Sequence, residues 1–383
     1  MHLLYIHDNP LTSEQANLIQ VIHMCQAFSQ NKIEVTLALP ESPVNEINDY
    51  HSFLAERFGF NPDFSIKTYK KISLFGRFNF AGGYLGVKKL LRGSHADLCF
   101  IRNASFLGAV ISKGIPFLFE SHNTIIHIGS ELMNRFWIRR VIKYANNPKC
   151  IGFITISQAL ADHWKSRGIP GDKILALHDG FSESKFEKVK DKVIARKELR
   201  LPDDRKIVMY LGSLYADRGI ETILDLAKNF TTANFVIVGG PEAEKEHYEN
   251  LASKLGLANV FFIGRIDHHM VPDYLYAADT LLMIWTDKVK TINYCSPLKT
   301  FEYMATGRTI VGHAFPTIKE VLENGKNALL ANPNSFDELK NKLNIALTLD
   351  DKSDIGRNAR ILAYQRYSWR QRAKTILKSS GFR

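Results

Sequence analysis

The chain has 383 residues, 45% hydrophobic and 23% charged, with a formal charge of +11. That balance belongs to a soluble globular protein and excludes a disordered or fibrous one, and the length exceeds what one core organises, which predicts two domains. The excess positive charge predicts an anionic partner without choosing among nucleotide, phospholipid and nucleic acid, although no nucleic-acid module is present.

The opening MHLLYIHDNP has an apolar stretch too short for a signal peptide and no basic leader. No later run is long enough to span a bilayer, so the expected location is the cytoplasm. NPLTSEQANLIQ contains a Thr12 to Gln15 capping box that starts a helix. In the first half the apolar runs HLLYIHD, IEVTLALP, ADLCFIR, PFLFESH, GFITIS and KILALHD alternate with helical patterns. In the second half KIVMYLG, NFVIVGG, NVFFIGR, TLLMIW, TIVGH and NALLA do so more regularly, with helices such as IETILDLAKNF, EAEKEHYENLASKLG, VPDYLYAA and TIKEVLENG between them. Near-continuous apolar strands, each followed by an amphipathic helix, predict parallel sheets covered on both faces. The fold class is therefore α/β, with two doubly wound Rossmann-like domains facing a cleft at their strand carboxyl ends. The expected boundaries are 1–180, 181–365 and a final segment 366–383, with the polar stretch 178–202 as crossover.

Two stretches mix basic and aromatic residues. Residues 69–92 carry Lys70, Lys71, Arg77, Lys88, Lys89 and Arg92 among Tyr69, Phe75, Phe78, Phe80 and Tyr84, and residues 134–149 repeat the recipe with Arg135, Arg139 and Arg140. Such a mixture suits the surface of an anionic membrane, and equally a solvated basic face over a core stripe. Cys25, Cys99, Cys150 and Cys295 are scattered, as reduced thiols are. Nothing clusters as metal ligands do, and no metal is expected.

The chemistry-bearing segments lie at strand ends in the second half. In SPLKTFEYMATG, Ser296 and Pro297 signal a helix start and Gly307 its stop, predicting a helix over about 297–306 with Leu298, Phe301 and Ala305 on its buried face. Lys299 then sits in the first turn, where the helix dipole favours an acidic side chain. Arg218, in the loop SLYADRG after VMYLG, breaks the same rule at another helix entrance. Two cations at two helix N-termini predict a diphosphate between them. Glu302, one turn after Lys299 on the same face, is placed to accept from a ribose diol, so the face reads as a nucleoside diphosphate grip. The bland alternative is an exposed Lys299–Glu302 surface pair.

At this point the chain resembles the retaining nucleotide-sugar glycosyltransferases of GT-B architecture, family 4. The resemblance rests on GSLYADRGIETIL, FVIVGG, VFFIGRI followed by VPDYLYAADTLLM, SPLKTFEYMATGRTIVGH, and ESHN and ITIS in the first half. The closing YSWRQRAKTIL is similar to the family's last helix, which returns to the first domain. The resemblance implies a glycosyltransferase using a nucleoside diphosphate sugar as donor substrate, with no other cofactor. It implies that Arg218 and Lys299 meet the donor diphosphate, beside Gly212 and Ser213, and that Glu302 holds the ribose. Gly264 and Arg265 would line the base, and the loop Tyr294, Cys295, Ser296, Pro297 and Leu298 would present its amides to the donor sugar. His122 of ESHN would sit beside the transferred sugar, although a histidine satisfied in the core is the alternative. The acceptor side is expected to include Ser13, Gln15, Asn17, Arg102 and Asn123, and the acceptor to be a glycan or a lipid-linked one in surface polysaccharide or glycolipid assembly.

Departures accompany the matches. Tyr294 stands where many members have a glutamate touching the sugar, Ser213 where many have an arginine, and the usual glycine pair of the amino-terminal loop is missing. These leave open a catalytically inert scaffold. A nucleotide-sugar 2-epimerase and a phosphorylase with lysine-bound pyridoxal phosphate share the architecture. Retention in the family is explained by the leaving phosphate taking the acceptor's proton, so no separate base is expected.

Overall fold

The computed structural model describes residues 1–13, 16–41, 49–71, 80–126, 130–349 and 354–381. Gln15 of the capping box, and Arg77, Phe75 and Phe78 of the first basic stretch, lie outside the described residues. The chain divides into one unit of residues 1–179 with 369–383, and a second of residues 180–368.

The first unit holds β1 (His2–Ile6), β2 (Glu34–Pro40), β3 (Ser65–Tyr69), β4 (Leu98–Ile101), β5 (Phe117–Ser121), β6 (Cys150–Thr155) and β7 (Ile174–Ala176). They form one sheet in the order β3-β2-β1-β4-β5-β6-β7, every pair parallel. Chain order reverses between β1 and β4, and in doubly wound sheets ligands bind at that switch point. The helix Trp369–Ser379 belongs to this unit, Trp369 stacking on His23 at 6.2 Å. Cys25, Cys99 and Cys150 are buried free thiols.

The second unit repeats the plan with β8 (Lys206–Leu211), β9 (Ala233–Val238), β10 (Val260–Gly264), β11 (Thr280–Met283), β12 (Thr309–His313) and β13 (Leu329–Ala331) in the order β10-β9-β8-β11-β12-β13. Alternate residues of β8 enter opposite cores, Ile207 and Met209 one, Val208 and Tyr210 the other. Helices on both faces are what the continuous apolar strands required.

Several expectations are corrected. The strand β3 was not anticipated: it is an edge strand whose residues are mostly half-buried or exposed, so it lacks the apolar run that marks its neighbours. Tyr69, expected at an interface, ends this strand buried and donates its hydroxyl to the His7 carbonyl at 2.7 Å. The stretch 178–202 does hold the passage between the units, at 179–180, but most of it is built into the second unit: Phe181 and Phe186 are core residues, and the helix Lys192–Leu199 is tied down where Lys192 and Arg196 pair with Asp279 at 2.7 and 2.5 Å. TIKEVLENG yields only the short helix Pro316–Lys319.

Candidate functional site

Two sites lie at the two switch points, each within its own unit. In the second unit Gly212 follows β8, and Gly239 after β9 comes so close that a Cβ on Gly239 would lie 2.3 Å from the Gly212 carbonyl oxygen. With φ of +113°, Gly239 needs to be glycine on both counts. A Cβ on Gly212 would lie 2.9 Å from Lys299 Nζ, and Lys299 and Arg218 both approach the Trp285 ring.

Lys299 occupies the first turn of the helix Leu298–Thr306, whose cap position is Pro297 with no side-chain cap bond, so Ser296 is not the cap. The helix is also buried all round from Thr300 to Thr306, not on one stripe. Lys299 Nζ stands 4.0 Å above the centre of the Tyr210 ring and 5.9 Å from that of Trp285. Arg218 lies 5.6 Å from the same indole and donates from Nε to Ser213 Oγ at 3.1 Å, with Asp217 at 3.5 Å. Among the described residues no carboxylate pairs with Lys299. Burial, and then the Arg218 charge, lower its ammonium to about 7. Both cations are half-buried. A half-buried lysine made less basic by desolvation and a neighbouring cation is a site short of negative charge.

Glu302 is 9% exposed, which rules out a surface pair with Lys299. Its Oε1 lies 3.4 Å from His268 Nε2, and burial raises its carboxyl to about 7 against the opposing charge of Lys185. Gly264 closes β10 and accepts from the Gly239 amide at 2.7 Å, while Arg265 beyond it is exposed. The amides of Tyr294 and Cys295 both donate to the Thr291 carbonyl, at 2.9 and 2.8 Å. Ser296 is buried, and Pro297 and Leu298 half-buried.

In the first unit a cavity of about 290 Å³ opens at the switch between β1 and β4. His122, Asn17, Arg102 and Asn123 line it together, as do His7 and Asp8, which the sequence reading did not single out. Ser13 is not among its lining residues, and its carbonyl accepts from Arg57 at 2.9 Å. His7 is 2% exposed, and burial, then the Arg102 charge, lower its imidazole to about 3. The signal for His7 and Asp8 was their place, directly after β1, where strand-end residues face ligands.

His122 is bonded through Nε2 to Glu120 Oε1. Glu120 is fully buried, and also accepts from Gln20 at 2.7 Å and from Arg372 Nη1 of the closing helix at 3.1 Å. Burial opposes its charge, but Arg372 and His122 hold the carboxyl well below the usual range. An ionised carboxylate only accepts, so the His122 proton is on Nε2 and Nδ1 is an acceptor. Burial, then Arg102, lower this imidazole to about 4, so the ring is neutral near pH 7.

A larger cavity, about 1100 Å³ and lined by Glu320, Asn327 and Tyr367 among others, holds none of the predicted residues. Among the described residues no group of three or more His, Cys, Asp or Glu is arranged to hold a metal ion. None of the described helices is long and apolar enough to cross a membrane.

Residues 191–362 match the family Glycosyl transferases group 1, and residues 19–185 match Glycosyltransferase Family 4. A glycosyltransferase of Methanocaldococcus jannaschii, MJ1607, is 22% identical over 70% of each chain. The lipopolysaccharide 1,2-N-acetylglucosaminetransferase of Salmonella typhimurium is 26% identical over 56% of this chain and 58% of its own length. Among solved structures, Anabaena Alr3699/HepE in complex with UDP and glucose aligns over 99% of both chains with a TM-score of 0.73 and 18% identity.

Proposed function

Because the chain belongs to the group 1 glycosyltransferases of GT-B fold, we propose that it transfers a hexose or N-acetylhexosamine, with retention and without a metal, from a nucleoside diphosphate sugar to a glycan or lipid-linked acceptor. The observation that carries this reading is the pair Lys299 and Arg218, 5.9 and 5.6 Å from the centre of the Trp285 ring, at the switch point of the second unit. Lys299 is the more telling of the two, since its ammonium is lowered to about 7 by burial and by Arg218. A diphosphate there gains two cations and restores the full charge of one. Cleavage of the anomeric bond moves negative charge onto the leaving phosphate oxygen. Cations fixed beside that oxygen interact more strongly with the departing diphosphate than with the intact donor, which lowers the barrier.

Glu302 would accept from the ribose, and the segment at Gly264 and Arg265 would line the base. His122, neutral with Nδ1 accepting, would receive a hydroxyl of the transferred sugar, next to acceptor contacts from Asn17, Arg102 and Asn123. The relatives named for lipopolysaccharide and for colanic acid biosynthesis support an acceptor in bacterial surface glycan synthesis. Such an acceptor suits an enzyme that touches the inner face of an anionic membrane, and the helix Glu131–Ala145 offers the surface for it, with Leu132, Met133 and Phe136 exposed.

A thermal-shift panel of nucleoside diphosphate sugars tests the donor class, because a ligand at 100 times its dissociation constant stabilises by about 2.7 kcal/mol. At least one donor should raise the melting temperature, and Lys299→Ala should abolish that shift and lower transfer about 10²–10³-fold, the worth of one preorganised group at a developing charge. Wild-type turnover in Lys299→Ala would refute the diphosphate grip.

A further inference from the structure

Lys185, His268 and Glu302 come from three separate parts of the second unit and meet in sequence, the histidine between the other two. Lys185 belongs to the short helix Glu183–Phe186, His268 opens the turn that follows β10, and Glu302 lies in the helix Leu298–Thr306. Lys185 Nζ is 2.7 Å from His268 Nδ1, and His268 Nε2 is 3.4 Å from Glu302 Oε1. An ammonium has three donors and no lone pair, so towards Lys185 the imidazole accepts, at Nδ1. The ring proton is then on Nε2, which faces a carboxylate oxygen able only to accept. Each group dictates the polarity of the next.

Electrostatics agree with this order. Burial raises the Glu302 carboxyl to about 7, and the Lys185 charge is what opposes the rise; Lys185 itself is lowered to about 8 by burial and sustained by Glu302. A protonated Glu302 would carry a hydroxyl donor where a ribose diol needs an acceptor. A carboxylate without a fixed neighbour would also spend rotamer freedom on every donor it binds.

We infer that Lys185 and His268 are positioning residues of the donor grip: the Nε2–H tautomer of His268, set by Lys185, holds Glu302 Oε1 and leaves the other carboxylate oxygen to accept a ribose hydroxyl. The inference rests on the reading of Glu302 as the ribose ligand. Neither residue touches the reacting atoms. Both act through Glu302.

Two measurements on the full chain test it, one without ligand. Long-range proton–nitrogen NMR spectra of ¹⁵N-histidine protein, with His268 assigned by its loss in His268→Gln, should show a neutral ring protonated at Nε2. Lys185→Met should turn this into a mixture of tautomers. A ring that is cationic at pH 7.5, protonated at Nδ1, or indifferent to Lys185→Met overturns the proposal.

The second measurement is calorimetric affinity for whichever of UDP, GDP and ADP the wild type binds tightest. His268→Leu and Lys185→Met should each lose about tenfold, the worth of roughly one charge-assisted hydrogen bond. His268→Gln, which can still donate to Glu302, and Lys185→Arg should recover most of it. Equal losses in the conservative and the disruptive variants mean that the two residues only pack. If instead Glu302→Gln binds as wild type does while the NMR result stands, the ribose assignment fails and the Lys185–His268–Glu302 chain does not.

Discussion

Glu120 in the first unit and Glu302 in the second are both buried carboxylates near the switch point of their own sheet, and burial pushes both towards the neutral acid. Their neighbours fully overcome that push for only one of them. Glu120 accepts from Arg372, His122 and Gln20, and stays ionised. Glu302 has His268 at 3.4 Å and a lysine beyond it, and is raised to about 7. The cations repeat the contrast: the Glu120 carboxylate raises buried Arg372, while Lys299 falls to about 7. A buried charge whose partners are complete belongs to the scaffold. One whose partners are incomplete marks where a charged or hydrogen-bonding ligand completes them.

The sharpest way to break this comparison is to remove a complete partner. Arg372→Met should destabilise the first unit by about 3–5 kcal/mol, because it leaves Glu120 charged in a dry interior. A urea melt by tryptophan fluorescence in a Trp285→Phe background reads this, since Trp137, Trp164 and Trp369 all lie in the first unit. A loss under 1 kcal/mol would mean that His122 and Gln20 suffice and that Arg372 is not the compensating charge.

The incomplete carboxylate should respond in the opposite sense. A carboxyl raised from an unfolded value of 4.5 to about 7 contributes stability below the lower value and loses it as pH rises through the higher one. Glu302→Gln escapes that loss. The donor-free variant should match the wild type near pH 4 and exceed it by about 3 kcal/mol at pH 8, which is roughly a 9 °C gain in melting temperature for a unit of this size. A constant difference at both pH values would show that Glu302 is not held up by burial.

How much of this was legible follows from sequence distance. Of the thirteen strands among the described residues twelve announced themselves as apolar runs, and the exception, Ser65–Tyr69, is the edge strand in which exposed Ser65 and Lys67 alternate with half-buried Ile66 and Thr68, so that no apolar run forms. Lys299 and Arg218 were visible because each breaks a local rule at a helix start, and a local rule needs only neighbours in sequence. Arg372 and Glu120 are 252 residues apart, and Lys185 and His268 are 83 apart. No periodicity or cap joins such pairs, so only the folded chain reveals which charge was compensated. Arg140 shows the same limit from the other side. The sequence offers it as a membrane-facing cation or as part of a solvated basic face, but its guanidinium sits among the rings of Phe136, Trp137 and Tyr144 at 5.5, 5.6 and 5.1 Å.

With Arg140 turned inwards, the smallest expected effect falls on what remains of that surface. The helix Glu131–Ala145 buries Trp137, Ile138, Val141 and Ala145 and exposes Leu132 to 78%, with Met133, Phe136, Arg135, Arg139 and Lys143 also exposed. Arg135 pairs with Glu131 at 2.5 Å, but both are well exposed and the pair adds little. An exposed leucine and phenylalanine between arginines gain from an interface where apolar groups leave water and cations meet lipid phosphate. Each arginine near an anionic leaflet is worth about 1 kcal/mol, so Arg135→Gln with Arg139→Gln should lower partitioning onto phosphatidylserine-containing vesicles roughly thirtyfold. Raising the salt should mimic the double variant, because the attraction acts within a Debye length of about 8 Å at physiological ionic strength. Co-sedimentation at low salt separates the outcomes. If the wild type ignores anionic vesicles, or binds neutral ones equally, these side chains are a solvated face, and the acceptor has to reach the first unit from solution.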